Sequence, residues 1–211
     1  MFGAAILLAS ALSPVTLSND ENRKISSTYP TWAVLQGRSS GTSVEVVVGP
    51  NGRMQECRVV AFVGSERMAN EECKRFKGRR YRPATDLEGR PILGLYRTYI
   101  TRVLDGDNEE SVAVRNWIRP ADATIRTGTL PDSATGRTDV GLVLLVKADG
   151  SVAECEGLAA ANERARVSPA LVDAACVEAR KLTMARLTTA GGHPSDYVTN
   201  ITMRFELNTT A

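Results

Sequence analysis

Apolar positions at Val44, Val46 and Val48 recur with period two, the spacing of one face of a β-strand. The run is followed by Gly49-Pro50-Asn51-Gly52, which is turn chemistry, and by a second run, Glu56 to Phe62, that carries Cys57. The whole stretch Ser43–Val60 has a partner at Val140–Leu158: an apolar run Val140–Val146, a turn at Ala148-Asp149-Gly150, and a return run Ser151–Leu158 with Cys155. Gly-to-Cys is five steps in both. A second Cys follows each, Cys73 and Cys176, with Gly89 and Gly192 sixteen residues beyond them and Pro91 and Pro194 eighteen beyond. Matched offsets of this kind predict two copies of one small module.

Between the paired cysteines a helix is predicted in each copy. Ser65 is a ready N-cap for a helix running to about Lys77, with Gly78 as its stop, and Ala69, Cys73 and Phe76 share one face. Ser168-Pro169 opens the second helix, with Val172, Cys176, Ala179 and Met184 as its apolar face. The five extra residues between the cysteines of copy two fall in the AAANERARV stretch. Long final strands are predicted at Ile92–Leu104 and Tyr197–Leu207. Each copy therefore reads β-β-α-β, an α+β fold in which a helix covers one face of a small antiparallel sheet.

The rest divides accordingly. Residues 1–17 are uncharged and apolar, too short and too Pro-interrupted for a membrane span. They read as a signal peptide with an apolar core Phe2–Leu8 and cleavage near Ala11, or as a buried apolar end. Residues 18–43 hold Trp32 in a short helix, 44–104 are module one, 105–139 a charged, solvated linker, 140–207 module two and 208–211 a tail. Asn116-Trp117-Ile118 is a possible counterpart of the Trp32 segment.

Four cysteines at repeated positions suggest disulfides Cys57–Cys73 and Cys155–Cys176, each worth roughly 3 kcal/mol by loop closure and requiring an oxidising compartment. Buried free thiols are the alternative. Their spacing does not suit zinc, and Asp105, Asp107 and Glu109 lack the Gly and Glu of a calcium loop. No metal or cofactor is expected. His193, the one histidine, sits in a Gly-Gly-His-Pro turn, and Glu71, Glu72, Asp86 and Glu88 cannot be placed in one cleft, so an enzyme is the last reading.

Charge separates the copies. Residues 44–104 carry 12 basic against 7 acidic side chains, residues 140–207 carry 7 against 8. The excess is concentrated in Lys74, Arg75, Lys77, Arg79, Arg80 and Arg82. That run is either a solvated helix terminus or a surface for an anionic envelope partner; nucleic acid is not expected.

The VEVVVGPNGRMQEC opening, the helix ending CKRFKGRRYRPA and the ATDLEGRP turn before a long last strand resemble the C-terminal domain of the TonB energy-transducer family. Module two keeps the hairpin, the Cys pair and Gly192 with Pro194, and has Arg186-Leu187 where module one has Pro83-Ala84. The resemblance implies a periplasmic domain that takes an extended peptide on a sheet edge, the peptide belonging to an outer-membrane transporter or another envelope protein. The edge is expected on the last strand of module one, at Ile92, Leu93, Leu95, Tyr96, Tyr99 and Ile100. No transmembrane anchor or Pro-rich spacer is read in the chain, so peptide binding, with a possible link to TonB-dependent transport, is expected rather than force transmission. The alternative is a structural envelope protein whose modules pair with each other and leave no free strand.

Overall fold

A computed structural model describes residues 11–130, 136–158 and 167–208. Module one is built from strand β2 (Ser40–Val48), strand β3 (Met54–Gly64), helix α3 (Glu66–Phe76), the short strands β4 (Tyr81–Arg82) and β5 (Ala84–Thr85), and strand β6 (Pro91–Arg102). Module two repeats the order with β8 (Arg137–Val146), β9 (Val152–Gly157), α5 (Pro169–Ala179), the short β10 (Leu187–Thr188) and β11 (Pro194–Ser195), and β12 (Tyr197–Leu207). In each module the first strand is central, flanked by the second and the last.

The repeat holds down to individual bonds. Ser65 and Ser168 cap α3 and α5 through their hydroxyls, which accept from Met68 N and Leu171 N. Each cap satisfies one N–H left without a partner in the first helical turn. Gly52 and Gly150 both have positive φ, and a Cβ on either would lie 2.4 and 2.5 Å from the carbonyl oxygens of Tyr81 and Met184. Those glycines accept, through their own carbonyls, from Tyr81 N and Met184 N. The turn is thus held against the segment after the helix in both copies. Met184 lies in that segment, beyond the helix end at Ala179, and not on the helical face expected for it. Cys57 is bonded to Cys73 and Cys155 to Cys176, with Cα separations of 5.7 and 5.6 Å. The extra residues of module two lie outside the described residues.

The two three-stranded units are one sheet. β6 and β12 run parallel and pair at Leu93–Leu95 with Tyr197–Thr199, giving the order β3-β2-β6-β12-β8-β9. Repeat equivalence would align Tyr197 with Gly94, whereas the register aligns it with Leu93. A one-residue offset exchanges the faces of the sheet, and the two modules accordingly bury opposite faces. Val44, Val46 and Val48 pack under Phe76 of α3, together with Val143 and Val198 from module two. Leu142, Leu144 and Ile201 pack under Ala175 and Ala179 of α5, together with Val47, Leu93 and Leu95 from module one. The shared ladder is three residues long, so the docking is mostly side-chain burial, about 1.5–3 kcal/mol for each of these aliphatic groups.

Three segments complete the cores. Leu12, Val15 and Leu17 are buried in module one, where β1 (Thr16–Leu17) pairs with β4, so a chain cut after Ala11 retains them. Phe2–Leu8 lie outside the described residues. Helices α1 (Asn19–Ser26) and α2 (Thr31–Leu35) follow; in α2 the Trp32 indole stacks under Arg67 and donates to Glu71. The segment expected to be a solvated acidic linker instead contains helix α4 (Glu109–Asn116) and strand β7 (Ala123–Thr127). Asn108 caps α4, Glu109 and Glu110 occupy its first turn where the helix dipole favours them, and Val114 is buried. Trp117 then lies over Gly41, where a Cβ would meet its ring at 2.5 Å. Asp107, in the calcium-like triplet, pairs with Arg115. β7 adds to β12 in parallel at Met203–Leu207.

Candidate functional site

β6 reads PILGLYRTYITR, and its alternate side chains take opposite faces of the sheet. Tyr96 makes edge contacts with Phe76 and Tyr81 on the α3 side. Six residues further along the same face, Arg102 forms a buried ion pair with Glu72, at 2.6 Å, and donates to the carbonyls of Ile25 and Ser26. Leu93, Leu95, Arg97 and Tyr99 lie on the opposite side, Tyr99 against Trp117 with Arg119 over its ring.

The strand expected to offer a free edge offers part of one. Ile92 pairs with Ala84 of β5, and Leu93 and Leu95 pair with β12 and are buried. These three are not available to an added strand, because the second module already supplies one. The expectation fails there for a physical reason: burying Leu93 and Leu95 against module two is favourable, and the ladder comes with it. At Thr199 the pairing with β6 stops. β12 turns to the linker, where Asp122 N donates to Thr202 O and Thr202 N donates back to the Asp122 carboxylate, both at 2.8 Å. From Tyr96 to Thr101, β6 is laddered to β2 on one side, and no other strand is in register with it among the described residues. Tyr96, Tyr99 and Ile100 belong to this unpaired part.

A cavity borders that edge on each face. On one, a cleft of about 620 Å³ is lined by Arg97, Tyr99, Arg119, Asp122, Asn200 and Thr202 among others. On the other, a pocket of about 310 Å³ is lined by Ile25, Phe76, Tyr96, Ile100 and neighbours. The first is polar and internally paired. Glu45 holds Arg58 and Arg97, Arg97 also reaches Asp122, and Arg204 bonds both oxygens of Asp139 and the carbonyl of Arg119. The Nε of Arg97 is buried without a partner, leaving a donor at the rim. The second pocket mixes aromatic and aliphatic side chains with Asn22, Ser26, Thr98 and Thr101.

Titration shifts beside this edge run away from neutrality. The Arg204 guanidinium holds the Asp139 carboxyl below the usual carboxylate range, and burial pushes the Tyr96 and Tyr99 hydroxyls up. These groups keep a fixed charge near pH 7, which suits binding rather than proton transfer. The other carboxylates considered from the sequence are occupied: Glu72 with Arg102, Glu71 with Arg67, Asp86 and Glu88 with Arg90. His193 is exposed at the tip of the β10–β11 hairpin, its carbonyl accepting from Thr189 N. Among the described residues no group of three His, Cys, Asp or Glu could hold a metal, and no helix is long and apolar enough to cross a membrane.

The basic run divides in two. Arg75 pairs with Glu72 and Arg79 with Glu21, whereas Lys74, Lys77, Arg80 and Arg82 are exposed and make no ion pair among the described residues. The Glu72–Arg102 pair was not foreseen. An acidic residue on the apolar face of a helix beside Cys73 is the one signal that could have found it.

No curated protein and no solved structure gives a significant match to the chain. One family model does, described as Gram-negative bacterial TonB protein C-terminal, over residues 26–99, from the end of α1 to Tyr99 of β6. Module two lies outside the match. Domains of that family are periplasmic, non-enzymatic protein-interaction domains that typically meet outer-membrane proteins. Residues 26–99, which reach into the unpaired part of β6, therefore match a TonB C-terminal family domain.

Proposed function

We propose that this is a non-catalytic periplasmic protein that binds an extended segment of an envelope protein by strand addition to β6 at Tyr96–Thr101. The observation that carries the reading is the unpaired edge with a cavity on each face. Strand addition draws affinity from main-chain hydrogen bonds and specificity from pockets that take alternate side chains, and an edge so flanked offers both. Six residues of strand span about 20 Å, enough for a short linear motif. An outer-membrane transporter is the partner class the family favours, and a role beside TonB-dependent transport follows from that class.

The alternative, an envelope scaffold whose modules pair with each other, is favoured by the parallel β6–β12 ladder and the shared cores. The pairing leaves Tyr96–Thr101 unladdered on one side, so it does not replace the binding role. Selection of short linear peptides from a displayed library, followed by backbone NMR titration of the winners, separates the two. Shifts concentrated at Tyr96–Thr101 support strand addition. A library that yields no binder, or binders that shift only other amides, leaves the scaffold reading in its place.

A further inference from the structure

We propose that Arg53, Lys74, Lys77, Arg80 and Arg82 form a docking surface for the anionic headgroups of a lipid membrane. All five are exposed and make no ion pair among the described residues, and the chain from Cys73 to Ala84 contains no acidic residue. Structure brings them together from three segments. The turn holding Arg53 is tied to β4 by the Tyr81-to-Gly52 hydrogen bond. Arg80 and Arg82 flank the inward-facing Tyr81 and so project outward. Lys74 is in the last turn of α3 and Lys77 is its C-cap.

The second module is an internal control for what the fold requires. It builds the same turn, the same bond to the post-helix segment and the same disulfide with Ser151, Val177, Arg180, Thr183 and Ala185 at the five equivalent places. Its helix ends with no basic residue in the last turn. One cation therefore suffices for the architecture, and the helix dipole does not demand the others. Arg53, Arg80 and Arg82 lie off the helix in any case.

The shape of the surface selects the partner. β4 is already paired with β1 and bonded to Gly52, so no free edge is offered to an extended peptide there. The cleft and the pocket beside β6 take in none of the five side chains, and Lys74 alone of the five borders the open cavity beside Glu66 and Glu71 on α3. A multi-cation face with no free strand edge matches an array of phosphates, which attracts each Lys or Arg additively within a Debye length.

The test is flotation of the full chain with phosphatidylcholine vesicles, with and without phosphatidylglycerol, at low and high salt. A variant with Arg53→Ser, Lys77→Gln, Arg80→Thr and Arg82→Ala, three of them borrowed from module two, is compared with one carrying Arg126→Gln, Arg180→Gln, Lys181→Gln and Arg186→Gln. Both lose four charges. The wild type is expected to partition onto phosphatidylglycerol vesicles alone, with binding suppressed by salt. The module-one variant should lose on the order of 1000-fold in partitioning, and the control variant little. Equal losses in the two variants, or no preference of the wild type for anionic vesicles, overturns the proposal. So does polyglutamate competing in solution as well as the vesicles do, which would assign the surface to an acidic protein. Retained circular dichroism in both variants guards against unfolding as the cause.

Discussion

Replacing Arg102 by Met isolates the most consequential polar contact in the molecule. The Arg102 and Glu72 side chains are 3% and 2% exposed, and Arg102 also satisfies the carbonyls of Ile25 and Ser26 at the end of α1. Methionine fills much of the volume and removes the charge. Glu72 is then left buried with only Arg75, at 3.5 Å, to offset it. Breaking a buried pair from one side costs about 3–5 kcal/mol, and the nearby Arg75 argues for the lower end. In a chain of this size about 3 kcal/mol lowers Tm by roughly 6–12 °C. The assay is thermal and urea unfolding of the oxidised protein, with Glu72→Leu and the double variant completing the cycle. The double variant should recover much of the loss, since no charge is then buried. It should not recover all of it, because the two α1 carbonyls stay unpaired. A loss below about 1 kcal/mol in Arg102→Met, or a double variant worse than the sum of the singles, would refute the reasoning.

Three further outcomes follow from the same structure. Gly94→Ala should cost about 1–3 kcal/mol in urea unfolding, since its Cβ would sit 2.3 Å from Val15 and 2.8 Å from Ala84. It should also raise proteolysis before β4 as the N-terminal segment lifts. Replacing both cysteines of either disulfide by Ser should lower unfolding free energy by about 3 kcal/mol, and reducing agent should have no further effect at the altered site. The Asp139 carboxyl is held down by Arg204, so its stabilisation is complete above the ordinary carboxylate value and is lost as pH falls through the lower folded value. Asp139→Asn should therefore flatten the acid limb of a stability–pH profile below about pH 4, and an unchanged limb would remove the pair from the account.

How far the sequence could carry this depended on whether a signal was local. Caps, turn glycines and cysteine spacing are written within a few residues of where they act, so Ser65, Ser168, Gly52, Gly150 and both disulfides were legible. The docking of the modules was not, because a strand reads as apolar whether its edge is free or paired. A signal was nevertheless present. Val46-Val47-Val48 and Leu142-Val143-Leu144-Leu145 are continuous apolar runs, and a strand apolar on both sides needs cover on both faces. One helix per module covers one face; the other module covers part of the second. The linker misled for a related reason. Several of its charges belong to the exposed side of α4, while the residues that anchor it, Val114 and Trp117, are few. The candidate edge was legible as a strand but not in extent, since only the position of β12 divides Leu95 from Tyr96.

Backbone hydrogen exchange along β6, free and with a selected peptide, tests the central claim most directly. The account predicts that amides of Leu93–Leu95 exchange slowly without ligand, being laddered to β12. Within Tyr96–Thr101 those pointing away from β2 should exchange fast and become protected on binding. Uniform protection of Tyr96–Thr101 in the free protein, or binding that leaves their exchange unaltered, would contradict it.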